Sequence, residues 1–176
     1  MSGGAPAAMS GGAPAKLSTN ETIQQLREFI MEMRKQMAVS NAILLRFARM
    51  EKASTEERRQ MNNKFRKSGQ STLICKQSDR AVAYNERLKK LYMERYSHQM
   101  FIFQLYTAQM AFLQNPNNER LAMEYMELYL KYPQDKIKAR GREIEEQFEK
   151  LFHDYPEMRN TRDIMGFAKK VREETK

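Results

Sequence analysis

Large apolar side chains recur along the first third of the chain with the spacing of an α-helix. Between positions 23 and 47 they alternate at steps of three and four residues, interrupted only by Ser40. This is the a and d spacing of a heptad repeat, maintained for nearly four heptads. A second stripe, made of Phe29, Ile43 and Met50, makes the apolar face wide enough for a helical bundle. The residues of the predicted packing seam are Ile23, Leu26, Ile30, Met33, Met37, Leu44 and Phe47.

Capping and turn residues predict where this first helix begins and ends. Ser18 and Glu21 have the spacing of a capping box, with Ser18 as the N-cap. Ser54 and Glu57 repeat that spacing and predict a break or a bend in the helix. Residues 68–71 read Ser-Gly-Gln-Ser, which predicts a turn.

A second long helix is predicted from Thr72 to Gln114, because this stretch contains no glycine or proline and recovers helical periodicity. At about 1.5 Å per residue it would span roughly 65 Å, so the two long helices predict an elongated antiparallel hairpin. Positions 100–113 are apolar nearly all round, which predicts the most buried part of the chain. The buried residues expected there include Phe101, Phe103, Leu105, Tyr106 and Phe112.

Shorter helices are predicted after the hairpin. Asn115–Asn118 ends the second helix and caps a third over Glu119–Lys131. Tyr-Pro pairs at 132–133 and 155–156 each stop a helix, with the tyrosine packing on the preceding turn. Asn160 or Thr161 caps a last amphipathic helix.

The predicted fold class is therefore all-α: an elongated antiparallel helical hairpin, coiled-coil-like, with a small C-terminal helical bundle. The predicted division is a flexible Gly/Ala/Pro-rich arm over residues 1–17, the helical hairpin over 18–114 and the C-terminal helices over 115–176.

Composition restricts the function classes. The 176 residues carry 31 basic and 22 acidic side chains, a net charge of +9, and a single cysteine. One cysteine excludes an intramolecular disulfide framework and a zinc site built on several thiolates, and it favours a reducing, intracellular compartment. The arm has neither the apolar segment of a secretory signal nor the arginines of a transit peptide. The mitochondrial matrix side and the cytoplasm both remain open as locations.

The sequence contains no recognised catalytic or metal-binding pattern. The sequence lacks phosphate-binding glycine loops and a nucleophile elbow, and Cys75 has no histidine close to it in sequence. His98 and His153 each follow a glutamate by four residues, which is too little to specify a metal site. We therefore expect no catalytic residue, no metal, no cofactor and no small-molecule substrate, that is, a protein that is not an enzyme.

Basic residues are densest beside the predicted hairpin turn, where they could contact the phosphates of RNA or lipid. No recognised nucleic-acid-binding motif accompanies them. The candidate phosphate contacts are Arg58, Arg59, Lys64, Arg66 and Lys67.

These patterns favour a non-catalytic structural or interaction subunit of a larger multiprotein assembly, whose helices pack against partner subunits. Peripheral contact with a membrane complex would be compatible with this role. The alternatives are an RNA-associated basic helical protein of the ribosomal type and a self-assembling helical protein of the viral coat type. The sequence leaves open whether the seam packs within one chain or between chains.

Overall fold

The computed structural model describes residues 17–68, 73–158 and 161–175. Within these ranges the secondary structure is helical throughout and contains no strand, which confirms the all-α prediction. The elements are α1 (Thr19–Ser68), α2 (Leu73–Gln114), α3 (Glu119–Lys131), α4 (Gln134–Asp154), a short 3-10 turn (Pro156–Met158) and α5 (Thr161–Glu174).

The two long helices pack against each other as an antiparallel hairpin. Near the start of α1, Leu26 and Ile30 pack with Tyr106 of α2. Farther along α1, Phe47 lies 6.1 Å from Tyr92, measured between ring centroids. The predicted hairpin is thus confirmed, and the 50 residues of α1 extend over about 75 Å.

Four residues of the predicted packing seam belong to, or pack against, core clusters that contain α2 residues of the same chain: Leu26, Ile30, Leu44 and Phe47. Leu26, Ile30 and Met33 are buried. The other four seam residues are partly buried, and Leu44 and Phe47 among them pack against the larger core cluster. The seam therefore contributes to the core of the hairpin itself.

Local capping patterns succeed at the helix starts and fail in the middle of α1. The Ser18 hydroxyl accepts a hydrogen bond from the backbone N–H of Glu21 at 3.2 Å, and Asn118 Oδ1 accepts one from Leu121 N–H at 3.2 Å. Of the break or bend predicted near Ser54 and Glu57, the break is wrong, because α1 continues unbroken to Ser68; the bend stays a prediction. No glycine or proline interrupts the backbone there. The rest of the predicted turn, and the arm over 1–16, lie outside the described residues.

The C-terminal helices lie along the hairpin. Helices α3 and α4 run back along α2, since Tyr125 lies beside Phe112 and Phe148 lies beside Tyr92. Helix α5 then returns along α1. Both tyrosines that precede prolines pack on α2: Tyr132 stacks on Phe101 with ring centroids 4.4 Å apart, and Tyr155 lies 5.5 Å from Tyr84. These rings attach the ends of α3 and α4 to the hairpin.

The larger core cluster lies where α1, α2 and α4 meet. Its buried residues are Ile43, Tyr84, Leu88, Leu91, Tyr92, Ile144, Phe148 and Leu151.

The buried segment predicted in α2 is only partly correct. Leu105 and Tyr106 are buried, and Phe103 and Phe112 are half-buried. Phe101 is 37% exposed, which corrects the prediction for that residue. Although α2 is apolar nearly all round here, its neighbours cover only part of its circumference, and Phe101 stays partly in water even though Tyr132 stacks on it.

Candidate protein interface

Helix α3 has apolar residues on two opposite sides. On its inner side Tyr125 stacks on Phe112 of α2 at 5.8 Å, and Tyr132 at the C-cap stacks on Phe101. Asn118 caps the start of this helix, and the N–H of Tyr132 donates to Leu128 O at its end. These contacts fix which side of α3 faces the hairpin.

The outer side of α3 carries three exposed apolar side chains, here named the outer stripe: Met123, Met126 and Leu130. Their exposed fractions are 63%, 50% and 72%. With about 3.6 residues per turn, these positions lie on the side opposite Tyr125 and Tyr132. No residue of α3 is buried. The outer stripe is therefore an apolar surface that nothing in the described chain covers.

Acidic side chains border the outer stripe. Helical spacing places Glu119 in line with the stripe and Glu127 beside it. Two cations lie farther round the same helix: Arg120 is 4.0 Å from Glu124, and the Lys131 ammonium is 5.5 Å from the ring centroid of Tyr132. The border of the stripe therefore has acidic character.

A shallow, open groove of about 500 Å³ lies along α5 where this helix borders α1. Met165 in this groove is 67% exposed, and ammonium groups come from Lys35 and Lys169. The residues that line the groove are Lys35, Met165, Ala168, Lys169, Arg172 and Glu173.

An ion pair beside this groove links α5 to α1. Arg172 Nη2 lies 2.8 Å and 2.7 Å from the two carboxylate oxygens of Glu32. Burial would raise the pKa of Glu32, but hydrogen bonds from Arg172 and Gln36 and the charges of Arg172 and Lys35 outweigh it, so that the pKa lies below 4.5. The ionised carboxylate thus fastens α5 to α1.

Two arginines of α2 pair with groups that come later in the chain. Arg80 pairs with Glu157 and donates to the backbone oxygen of Asp154 at 2.7 Å. Arg95 pairs with Glu145, and its guanidinium carbon lies 4.1 Å from the ring centroid of Phe148. These arginines serve the packing of α4 on α2.

The predicted phosphate contacts all lie in the second half of α1. Arg59 is exposed, whereas the side chains of Arg58, Lys64, Arg66 and Lys67 lie outside the described residues. Phosphate binding at this end of the hairpin stays a prediction.

The two glutamate–histidine pairs occupy different environments. His98 is partly buried, and Glu94 on the same helix lies 3.4 Å from Arg140. Burial, and to a lesser degree the charge of Arg140, lower the pKa of His98. His153 is exposed at the end of α4. Within the described residues, no three His, Cys, Asp or Glu side chains are grouped so that they could hold a metal ion.

Comparison of the sequence with protein-family models, curated proteins and solved structures gave no match. Across the helices that the structure describes, none has an apolar stretch long enough to cross a bilayer.

Sequence reasoning missed the outer stripe and the groove. The stripe does have a signal in the sequence, since α3 contains two sets of apolar residues at helical spacing, Met123–Met126–Leu130 and Tyr125–Leu128–Tyr132. A helix with two apolar faces needs two neighbours, and the main contact of α3 in the described chain is with α2. The groove has no such signal, because it depends on how α5 docks on α1.

Proposed function

We propose that the protein is a non-catalytic structural subunit that binds partner protein through the outer stripe of α3. The observation that carries the proposal is the exposure of Met123, Met126 and Leu130 on the side of α3 opposite its packed side. Contiguous exposed apolar surface of this kind marks interaction sites in soluble proteins. Methionine is common at such surfaces because its flexible thioether adapts to a partner.

The packing of the predicted seam also supports this location for the partner surface. Leu26, Ile30 and Met33 are already buried against the chain's own helices, so they have little surface left to offer to another subunit. The side of α3 that faces away from the hairpin does have exposed apolar surface for a partner. A partner that covers it would remove apolar area from water at about 25 cal/mol per Å².

The test compares two variants with the same chemical change at similar exposure. Met126→Asp introduces a charge into the outer stripe, and Met93→Asp introduces one on the exposed surface of α2, where Met93 is 53% exposed. Tagged forms of both variants and of the unmodified protein would be isolated from cells, and their native mass and co-purifying proteins would be measured.

We expect the unmodified protein and Met93→Asp to elute in the same large particle, and Met126→Asp to elute free of it. Circular dichroism of both purified variants would verify that the helices remain folded. If Met126→Asp stays in the particle, the proposed interface is wrong. Nuclease treatment of the same particle separates the alternatives: loss of mass on RNA digestion would instead favour the RNA-associated function and the candidate contacts around Arg59.

A further inference from the structure

We propose that the partner of the outer stripe is a second copy of this chain, whose groove between α1 and α5 receives α3. This inference rests on the proposed function, because it names the occupant of the same surface. It joins two features that the described chain leaves uncovered: the outer stripe on α3 and the groove around Met165 on α5.

The two surfaces have similar lengths. The outer stripe forms a ridge on a helix of 13 residues, and the groove runs beside α5, a helix of 14 residues. Both helices are about 20 Å long at 1.5 Å per residue. A helical ridge seated between two helices is a common packing arrangement and a common mode of recognition. The groove volume of about 500 Å³ offers room for apolar side chains beside Met165 and Ala168.

The charges at the borders are also complementary. Glu119 and Glu127 accompany the outer stripe, whereas Lys35 and Lys169 line the groove. Arg172 in the groove is already paired with Glu32, and the Glu173 carboxylate offsets one of the two remaining cations. The acidic border of the stripe also disfavours an anionic lipid surface as its occupant. Opposite charges at the rim of an interface guide orientation and speed association.

A contact between two different surfaces of the same chain is heterologous. Each copy would offer one stripe and one groove, so that association continues into a ring or an open chain unless the geometry closes early. A symmetric contact of α3 with α3 would instead stop at a dimer and would leave the groove empty. The size of the assembly therefore distinguishes the two arrangements.

The experiment is sedimentation velocity of the purified full-length protein over a range of concentrations. Wild-type protein and Met93→Asp should associate reversibly beyond a dimer. Met126→Asp disables the stripe and Met165→Asp disables the groove, and each should weaken self-association at least about tenfold. An equal mixture of Met126→Asp and Met165→Asp should form a one-to-one dimer, because one intact stripe and one intact groove remain.

Each contrary result overturns the inference. A wild-type protein that stays monomeric excludes the second copy, and self-association that survives Met165→Asp excludes the groove. A mixture of the two variants that stays monomeric excludes the pairing of stripe with groove. The proposed function fails separately: it stands if Met126→Asp leaves the native particle while the purified wild-type protein is monomeric, and it falls if Met126→Asp remains in the particle.

Discussion

The Ser40 hydroxyl donates a hydrogen bond of 2.8 Å to the side-chain carbonyl oxygen of Gln99 inside the hairpin. Ser40 is the residue that interrupts the apolar seam of α1, and both side chains are buried. The interruption is therefore matched by a polar partner on the facing helix, 59 residues away in sequence. A buried polar pair of this kind favours one register of the two helices over others, because sliding would leave both groups without a partner.

Replacing Ser40 by alanine should destabilise the protein by about 1–3 kcal/mol, because Gln99 loses its hydrogen-bond donor while it remains buried. Replacing both residues, as Ser40→Ala with Gln99→Leu, should recover part of that loss. Urea denaturation of the two single variants and the double variant would give the coupling energy. A coupling close to zero would show that the pair contributes nothing to the hairpin.

Seam residues and exposed residues of α1 should differ sharply in their effect on stability. Leu26 is fully inaccessible in the cluster with Ile30 and Tyr106, so Leu26→Ala should cost about 2–5 kcal/mol. Leu45 on the same helix is more than half exposed, and Leu45→Ala should change stability by less than about 0.5 kcal/mol. Thermal and chemical denaturation of this matched pair would measure the difference. Equal losses would mean that the seam is not packed on α2.

Helix bounds could be predicted from the sequence because helix starts and stops depend on a few adjacent residues. The bounds of α3 agree with prediction, since Asn118 supplies the cap and Pro133 prevents continuation. The seam could be predicted because its apolar spacing runs for several turns. Residue types within a short stretch suffice for both inferences.

Contacts between distant segments could not be predicted in the same way. The arginines of α2 resemble an unpaired basic surface when charge is counted along the sequence, yet the carboxylate that pairs with Arg95 comes 50 residues later. The outer stripe has a helical signal, but which of the two apolar sides of α3 faces α2 is decided by the stacking of Tyr125 and Tyr132. The groove around Met165 depends on contacts between α5 and α1, which are the ion pair of Arg172 with Glu32 and the packing of Phe167.

The attachment of α5 should weaken in acid. Because the pKa of Glu32 is lowered in the folded protein, the ionised carboxylate contributes stability above its ordinary value of 4.5, and this contribution is lost as the pH falls through the lower, folded value. Glu32→Gln should therefore reduce the dependence of unfolding free energy on pH below about 4.5. Denaturant titrations across this range would compare the variant with wild type.

The control for that experiment is Glu28→Gln, which changes an exposed glutamate one turn earlier on α1. It should retain the wild-type dependence on pH. If Glu32→Gln retains it as well, the ion pair with Arg172 does not contribute to the stability of the folded protein.

A second dependence on pH should arise at His98, where α2 meets α4. The Nε2 atom of His98 lies 3.4 Å from the position that a Cβ atom on Gly141 would occupy, so the glycine allows α4 to approach the imidazole closely. Burial, followed by the charge of Arg140, lowers the pKa of His98 below 6.5. Between the folded value and 6.5 the unfolded chain binds more protons, so that stability should fall as the pH decreases through this window.

Replacing His98 by glutamine removes the titrating group, and the free energy of unfolding should then vary less between pH 6.5 and the lower folded value. His153→Gln changes the exposed histidine at the end of α4 and should leave the wild-type dependence in place. Denaturation at several pH values would measure both variants, and NMR titration of the imidazole protons would report the protonation of His98 directly. If the free energy of unfolding depends on pH equally in the wild-type and His98→Gln proteins, His98 is not buried against α4. An imidazole that stays in water has the same pKa in the folded and unfolded states and adds no dependence on pH.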